Sequence, residues 1–489
     1  MRRTSLVLPV LLFAAACGNS APASTRPSDF RDAPSSALEQ LSESGGIDIP
    51  SPKAAEAVPW GASSDTSGQV KPQAVRPAMS PENQVAGGGR TREWLIMVYI
   101  NGRNNLSKYM LQNIRDMEAA GSSKNVTVVV ELGRYDDLPR SEITAAFHQD
   151  GYNNAKANGY CSSASRNNTV RYYIEAGKAI PLGTLCNSDM GDPKELTDFA
   201  VWANKTFPAR RHMLIVSSHG GGYGGISPDD ISENSLSLKD LSGALGGISS
   251  AYGKKLDIYA SDACLMQMAE VIYDLRRYVN VVVGSEENIP GSGFPYTAML
   301  RKFSSAPGAN TETLAAMLVR DYAALYARQG GSYGTTISAV RASRMEEFAN
   351  LMSGWVDQAL RSKAADKDLD NAIAQTVRYH ESEEDDRLTI NSRDIANFLS
   401  NLNEALPQGA ALRRTGENLT GFIRRELVIE SATTGNTAVG EKSTGLAIYM
   451  PRKRDFQGSY LGSNGFSSRT RWHEFIGSVC APSGRSPYQ

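Results

Sequence analysis

Two apolar runs dominate the hydropathy pattern of this chain. One reads Met213-Leu214-Ile215-Val216-Ser217-Ser218-His219-Gly220-Gly221-Gly222 and the other Leu256-Asp257-Ile258-Tyr259-Ala260-Ser261-Asp262-Ala263-Cys264-Leu265. A run of about four to eight apolar residues bounded by glycine or polar positions predicts a strand buried on both faces of a parallel sheet. Each run ends on a side chain that can do chemistry. In an open α/β sheet, ligands bind in the crevice at the carboxyl ends of the strands. If the two strands are neighbours, His219 and Cys264 meet at that edge.

The remaining pattern supports such a sheet. Trp94 to Ile100 predicts a strand, Asn104 to Ala120 a helix with Leu106, Met110, Ile114 and Met117 on one face, and Val126 to Leu132 a second strand. Gly121 is a fitting helix stop. This β-α-β order implies a parallel pair. Val170 to Ile174 predicts one more strand. Asp192 followed by Pro193 opens a helix through about Lys205, an N-cap with proline in the first position. Ser237 to Ala251 predicts a helix, and so does Leu265 to Tyr278, starting just after Cys264. Val279 to Gly284 is a strand, Thr311 to Ala327 a helix and Thr335 to Val340 a strand. Past residue 341 the pattern turns mostly helical, with one late strand at Gly445 to Met450.

The ends read differently. Arg2 and Arg3 precede a short apolar stretch, Leu6 to Ala15, followed by Ala16, Cys17 and Gly18. That is a signal segment, 1–16, too short to span a bilayer permanently. Small residues before a cysteine resemble a lipoprotein cleavage box, which makes Cys17 a candidate lipidated N-terminus. Residues 17–90 are rich in Ser, Ala, Pro and Gly, a composition that offsets little ordering entropy and predicts a tether. The chain then divides into 91–340, 341–480 and a tail, 481–489. The expected location is outside the cell membrane, on an outer membrane or cell surface or released. Apart from the lipid, no membrane contact is expected.

Composition narrows the partners. The 489 residues carry a formal net charge of -1, which gives no electrostatic reason to expect nucleic acid. There are five cysteines. An exported chain forms disulfides, and Cys161 and Cys186 share a loop-rich region where they can pair. The position of Cys480 leaves its pairing open. The acidic run Glu381 to Asp386, broken only by Ser382, reads as a solvated loop.

The candidate chemistry is nucleophilic. A thiol attacks only as thiolate. A helix beginning at Cys264 favours the anion through its dipole, and His219 takes the thiol proton or protonates a leaving amine. Glycines at 220 to 222 permit close backbone approach. Amides of Gly220 and Cys264 are candidate oxyanion donors. Asp262, two residues before Cys264, points to the same side of its strand and either pairs with a guanidinium or caps the following helix. Glu286 and Glu287 either add charge to that pocket or, for at least one, lie exposed. No third triad member can be named.

His-Gly after one apolar block and Ala-Cys after a second resemble the signature of the caspase-like cysteine peptidase clan. Within it, Asp262-Ala263-Cys264-Leu265-Met266, the glycine loop after His219, Gly284-Ser285-Glu286-Glu287 with Pro290-Gly291-Ser292-Gly293, the Asn104-Asn105-Leu106 turn, Gly445 to Pro451 and Trp472 are similar to the clostripain family. The likeness spans roughly 92 to 478. It implies a caspase-like α/β/α sandwich with a mostly parallel central sheet, plus a mainly helical C-terminal subdomain. It implies an endopeptidase cutting proteins or peptides after Arg, sometimes Lys, with Cys264 as nucleophile, His219 as base and Asp262 as the acidic wall of the specificity pocket. No cofactor is required by the sequence. Some relatives use calcium, for which Asp229 and Asp230 are candidate ligands, although two adjacent carboxylates make no calcium site alone. Relatives also cut themselves between the His and Cys segments, where this chain offers Lys239, Lys254 and Lys255. Arg103 departs from the family pattern, which places an acid there.

Two other readings compete. Gly330-Gly331-Ser332-Tyr333-Gly334 fits G-x-S-x-G of serine esterases, but an elbow needs a strand before it and a helix after, the reverse of the order here. The other is a catalytically idle surface lipoprotein that binds peptides or glycans on a peptidase fold.

Overall fold

The computed structural model describes residues 91–134, 169–185, 188–329, 334–362, 366–380, 391–435, 438–452, 455–460 and 463–480. The signal segment, Cys17, the 17–90 stretch, Cys161, Cys186, Ser332, the 381–386 acidic run and the 481–489 tail lie outside them.

In chain order the strands are β1 (Arg92–Gly102), β2 (Val126–Arg134), β3 (Thr169–Glu175), β4 (Lys178–Leu185), β5 (Ala209–Ser217), β6 (Ile226–Asp229), β7 (Asn234–Leu236), β8 (Leu256–Asp262), β9 (Val279–Gly284), β10 (Thr335–Arg341), β11 (Ser392–Asp394), β12 (Val428–Thr434) and β13 (Ala447–Tyr449). Among the described residues, nine of them form one sheet in the order β12-β10-β9-β8-β5-β1-β2-β3-β4. The middle five run parallel, and the strands at both edges are antiparallel. The expected strands are all present. β4 and β12 are additions: their residues are mostly half-buried or exposed and carry no continuous apolar run.

Seven successive residues of β1, Trp94 to Ile100, are fully buried. Consecutive side chains point to opposite faces, so both faces of the sheet are covered. The cover comes from helices α1 (Ser107–Glu118), α2 (Pro193–Thr206), α3 (Leu238–Tyr252), α4 (Ala269–Leu275), α5 (Tyr296–Ser305) and α6 (Thr311–Arg328). They pack as two groups, α1 with α5 and α6, and α2 with α3 and α4. Local chemistry sets their ends. Asp192 accepts from the Lys194 amide at the start of α2, Ser237 and Asp240 form a reciprocal capping box on α3, and Gly121 ends α1 in a left-handed turn at φ +65°.

Past 341 the chain is largely helical, as expected, beginning with α7 (Met345–Arg361). It is not a separate layer. β12 returns to the central sheet and pairs antiparallel with β10, and residues 91–480 belong to one compact unit. The late strand is shorter than its apolar run because β13 pairs with β11 in a small sheet of its own. An aromatic cluster closes this region: Trp355, Phe398, Trp472 and Phe475 pack with ring centroids 5.0 to 6.5 Å apart. The Trp472 indole N–H donates to the Tyr449 carbonyl at 2.9 Å, tying the chain end to β13. Trp472 is fully buried. Trp472→Ala is expected to lower stability by about 3–5 kcal/mol, read as a fall in the denaturant midpoint. An unchanged midpoint would contradict this packing role.

Candidate active site

β5 and β8 are hydrogen-bonded neighbours, with Ser217 level with Asp262. The Ser218 amide continues the ladder to the Asp262 carbonyl at 3.3 Å. Two residues further along each strand stand His219 and Cys264, both buried. Adjoining parallel strands thus carry the imidazole and the sulfur to the same edge. Gly220 shows how near the two ends lie: a Cβ on it would sit 2.4 Å from the Cys264 carbonyl oxygen. The chain then turns through Gly222 (φ +55°) and Gly225 (φ +124°). It bridges back from Gly220 to Ile226.

The segment after Cys264 corrects one expectation. No helix starts there. Leu265 takes φ +64°, an uncommon conformation for a side chain that is not glycine. Its amide donates to the Glu287 carbonyl, and that of Gln267 to Ser285. These loop contacts keep 265–268 out of a helix until α4 begins at Ala269, so the α4 dipole does not act on Cys264 through its first turn. The sulfur instead receives a backbone hydrogen bond, from the Ile289 amide at 3.3 Å. The expected Cys161–Cys186 pairing lies outside the described residues. Cys264 is disulfide-bonded in this structure. Cys480 forms no disulfide and donates its thiol to the Pro451 carbonyl at 3.2 Å. Attack by Cys264 therefore requires reduction first.

His219 Nε2 lies 2.6 Å from Asn105 Oδ1. Its Nδ1 is buried without a hydrogen-bond partner. Burial pushes the imidazole down to about 4, so it is neutral at neutral pH and able to accept a proton.

Asp262 does not cap a helix; the N-cap of α4 is Met268. Its carboxylate accepts from the Tyr296 hydroxyl at 2.8 Å and from Ser217 Oγ at 3.4 Å. Burial raises it to about 6, against the pull of hydrogen bonds from Tyr296, the Phe294 amide and Ser217. Its Oδ1 is buried without a hydrogen-bond partner. Asp262 lines a pocket with Cys264, Leu106, Met110, Pro290 and Gly291. Gly293, at φ +66°, gives it room: a Cβ there would approach Asp262 Oδ2 to 2.6 Å.

Glu286 and Glu287 are both buried, which corrects the exposed reading, and neither lines that pocket. The Glu286 carboxyl accepts from the Tyr379 hydroxyl at 2.9 Å and the Gly445 amide at 3.2 Å. Burial and the neighbouring Asp394 hold it well above the usual carboxylate range. Glu287 accepts from the His380 amide at 3.1 Å. These carboxylates bind the Cys264-side loop to the C-terminal half. Asp229 is likewise committed to structure. It pairs with Arg103 at 3.1 Å, both side chains fully buried, and accepts from the Met190, Ile231 and Ser232 amides. The departure at Arg103 is thus balanced within the chain. Among the described residues, no group of three or more His, Cys, Asp or Glu is placed to hold a metal. Lys239 lies in the first turn of α3, and Lys254 and Lys255 lie in the α3–β8 connection.

Sequence reasoning missed Asn105 as a partner of His219, Tyr296 as a partner of Asp262 and the Ile289 amide. The first two are distant in sequence from what they touch, and the third is backbone.

Comparison with known proteins agrees with the fold. The model of the clostripain family matches residues 98–478. Clostripain of Hathewaya histolytica is 26% identical over 244 residues, 44% of this chain and 43% of that protein, so the match spans under half of that relative. Among solved structures, a secreted C11 cysteine protease from Bacteroides thetaiotaomicron, in complex with an irreversible peptide inhibitor, superposes with a TM-score of 0.57 at 18% identity. It matches over 78% of this chain and 99% of its own. An inactive zymogen C11 protease from Parabacteroides distasonis gives 0.55 at 19%, over 78% and 98%. Those structures share the α/β fold described above. The family match covers most of the chain and both ends of the β5–β8 edge, and on that ground this protein belongs to the clostripain family of cysteine peptidases.

Proposed function

We propose that the chain is a cysteine endopeptidase that cuts after arginine, and less often lysine, through Cys264 and His219. The reduced Cys264 thiol gives its proton to His219. The thiolate attacks the scissile carbonyl, and amides of Gly220 and Cys264 hold the oxyanion. His219 then protonates the leaving amine, and water hydrolyses the thioester. Asp262 selects the cation. Residues 91–340 carry this machinery and 341–480 support it.

One observation carries the specificity. A buried carboxylate with an unpartnered Oδ1 lines the pocket beside the sulfur. Such a group is stabilised when a guanidinium or ammonium enters. The test uses residues 91–489 in dithiothreitol, with fluorogenic peptides ending in Arg, Lys, Asp or Asn. Hydrolysis confined to Arg and Lys is expected, and hydrolysis confined to Asp or Asn would reject the pocket. Repeating the assay with calcium and with chelator decides whether this chain, like some relatives, uses calcium.

We also propose that the chain is exported and held to a membrane by lipid on Cys17. No described helix is long and apolar enough to cross a bilayer. Cys17→Ala is expected to move the protein from the membrane to the soluble fraction. A variant still bound to membranes would reject the lipid.

A further inference from the structure

The Asn104-Asn105 pair divides its work. Asn104 is buried and holds the turn between β1 and α1. Its amide donates to the Asn101 and Pro228 carbonyls, and its Oδ1 accepts from the Leu106 amide. Asn105 is exposed and holds none of this. Its side-chain oxygen faces the His219 ring, 2.6 Å from Nε2. An amide oxygen only accepts, so with Oδ1 set toward the ring this contact calls for a proton on Nε2. A neutral imidazole with a proton on Nε2 has its lone pair on Nδ1, and Nδ1 is the buried atom without a partner.

We infer that Asn105 is a positioning residue that fixes the Nε2–H tautomer of His219, making Nδ1 the atom that takes the Cys264 proton and returns it to the leaving amine. The inference rests on the peptidase reading for its kinetic part only. In the first transfer the S–H bond breaks and an Nδ1–H bond forms. The ring becomes a cation whose Nε2–H still donates to Asn105, now in a stronger, charge-assisted bond. In the second transfer Nδ1–H breaks as the amine leaves. Without Asn105 the neutral ring divides between two tautomers, and the one with hydrogen on Nδ1 cannot act as base there.

The test has a spectroscopic and a kinetic arm. Imidazole nitrogen shifts are recorded by NMR on histidine-labelled, reduced protein at mildly alkaline pH, with the His219 signal assigned by its loss in His219→Gln. The wild-type ring is expected as the Nε2–H tautomer. Asn105→Ala is expected to mix the tautomers and lower kcat about tenfold or more with KM little changed. Asn105→Asp keeps an acceptor in place and is expected to restore the Nε2–H form and most of kcat. The melting midpoint should hold in Asn105→Ala and fall in Asn104→Ala. A wild-type ring carrying its proton on Nδ1, or an Ala variant with wild-type kcat, would overturn the inference. Hydrolysis surviving in Cys264→Ala would instead reject the peptidase reading and leave the tautomer result to be judged alone.

Discussion

Cys264→Ala will lower kcat/KM for an arginyl peptide by about four orders of magnitude or more, equivalent to roughly 5 kcal/mol of transition-state stabilisation. The covalent route is lost altogether, because a methyl group offers no lone pair at the β8 edge. Pocket and oxyanion contacts remain, so substrate binding should change far less than turnover. The replacement is small and Cys264 is buried, so the fold should survive; Cys264→Ser, which keeps the volume, separates lost chemistry from lost packing. Because Cys264 is oxidised in this structure, the wild type should also be inert until a thiol reductant is added. Initial rates with and without dithiothreitol read this directly. Residual hydrolysis in the Ala variant near the wild-type rate would remove the nucleophile from the account.

Asp262→Asn should produce the second-largest effect, and a selective one. Removing one partner of a buried charge pair costs about 2–5 kcal/mol, roughly thirty- to several-thousand-fold in kcat/KM for arginine. A neutral side chain of similar length, such as glutamine, should lose little. The pH dependence follows from the carboxyl group itself. Burial raises Asp262 to about 6, and only its ionised form pairs with a cation. The arginyl rate should therefore climb as pH rises through about 6, and this limb should vanish in Asp262→Asn. Stability runs the other way. A carboxyl whose folded value is raised from 3.8 to about 6 favours folding below the unfolded value and loses that contribution as pH rises through about 6. Above that pH the variant should be no less stable than wild type while being far less active on arginine. Equal losses on arginine and glutamine would show that Asp262 supports the fold rather than selecting the cation.

The central strands were legible because burial on both faces leaves an unbroken apolar run, and Trp94 to Ile100 and Met213 to Val216 are such runs. The meeting of His219 and Cys264 followed from where two of these runs end, and Asp262 from its spacing of two. Other features depend on contacts far apart in sequence. Glu286 sits in a polar, glycine-rich loop that reads as solvated, and only the fold brings Tyr379 and Gly445 to it. The helix expected at Leu265 has a helical apolar spacing, yet loop contacts from Ser285 and Glu287 hold its first residues in a non-helical path. β12 is half-buried at most positions and carries polar residues through its second half, so its pattern did not reveal that it completes the sheet. Asn105 reads from sequence as part of a turn, but a turn residue's partner across the site is set by tertiary packing alone.

The most direct measurement is covalent trapping. Reduced protein is treated with a short peptidyl chloromethyl ketone ending in arginine, digested and mapped by mass spectrometry. The account predicts a single adduct on Cys264 Sγ, absent in Asp262→Asn at the same dose and absent with an aspartyl analogue. An adduct on another residue, or equal labelling by the arginyl and aspartyl reagents, would contradict it.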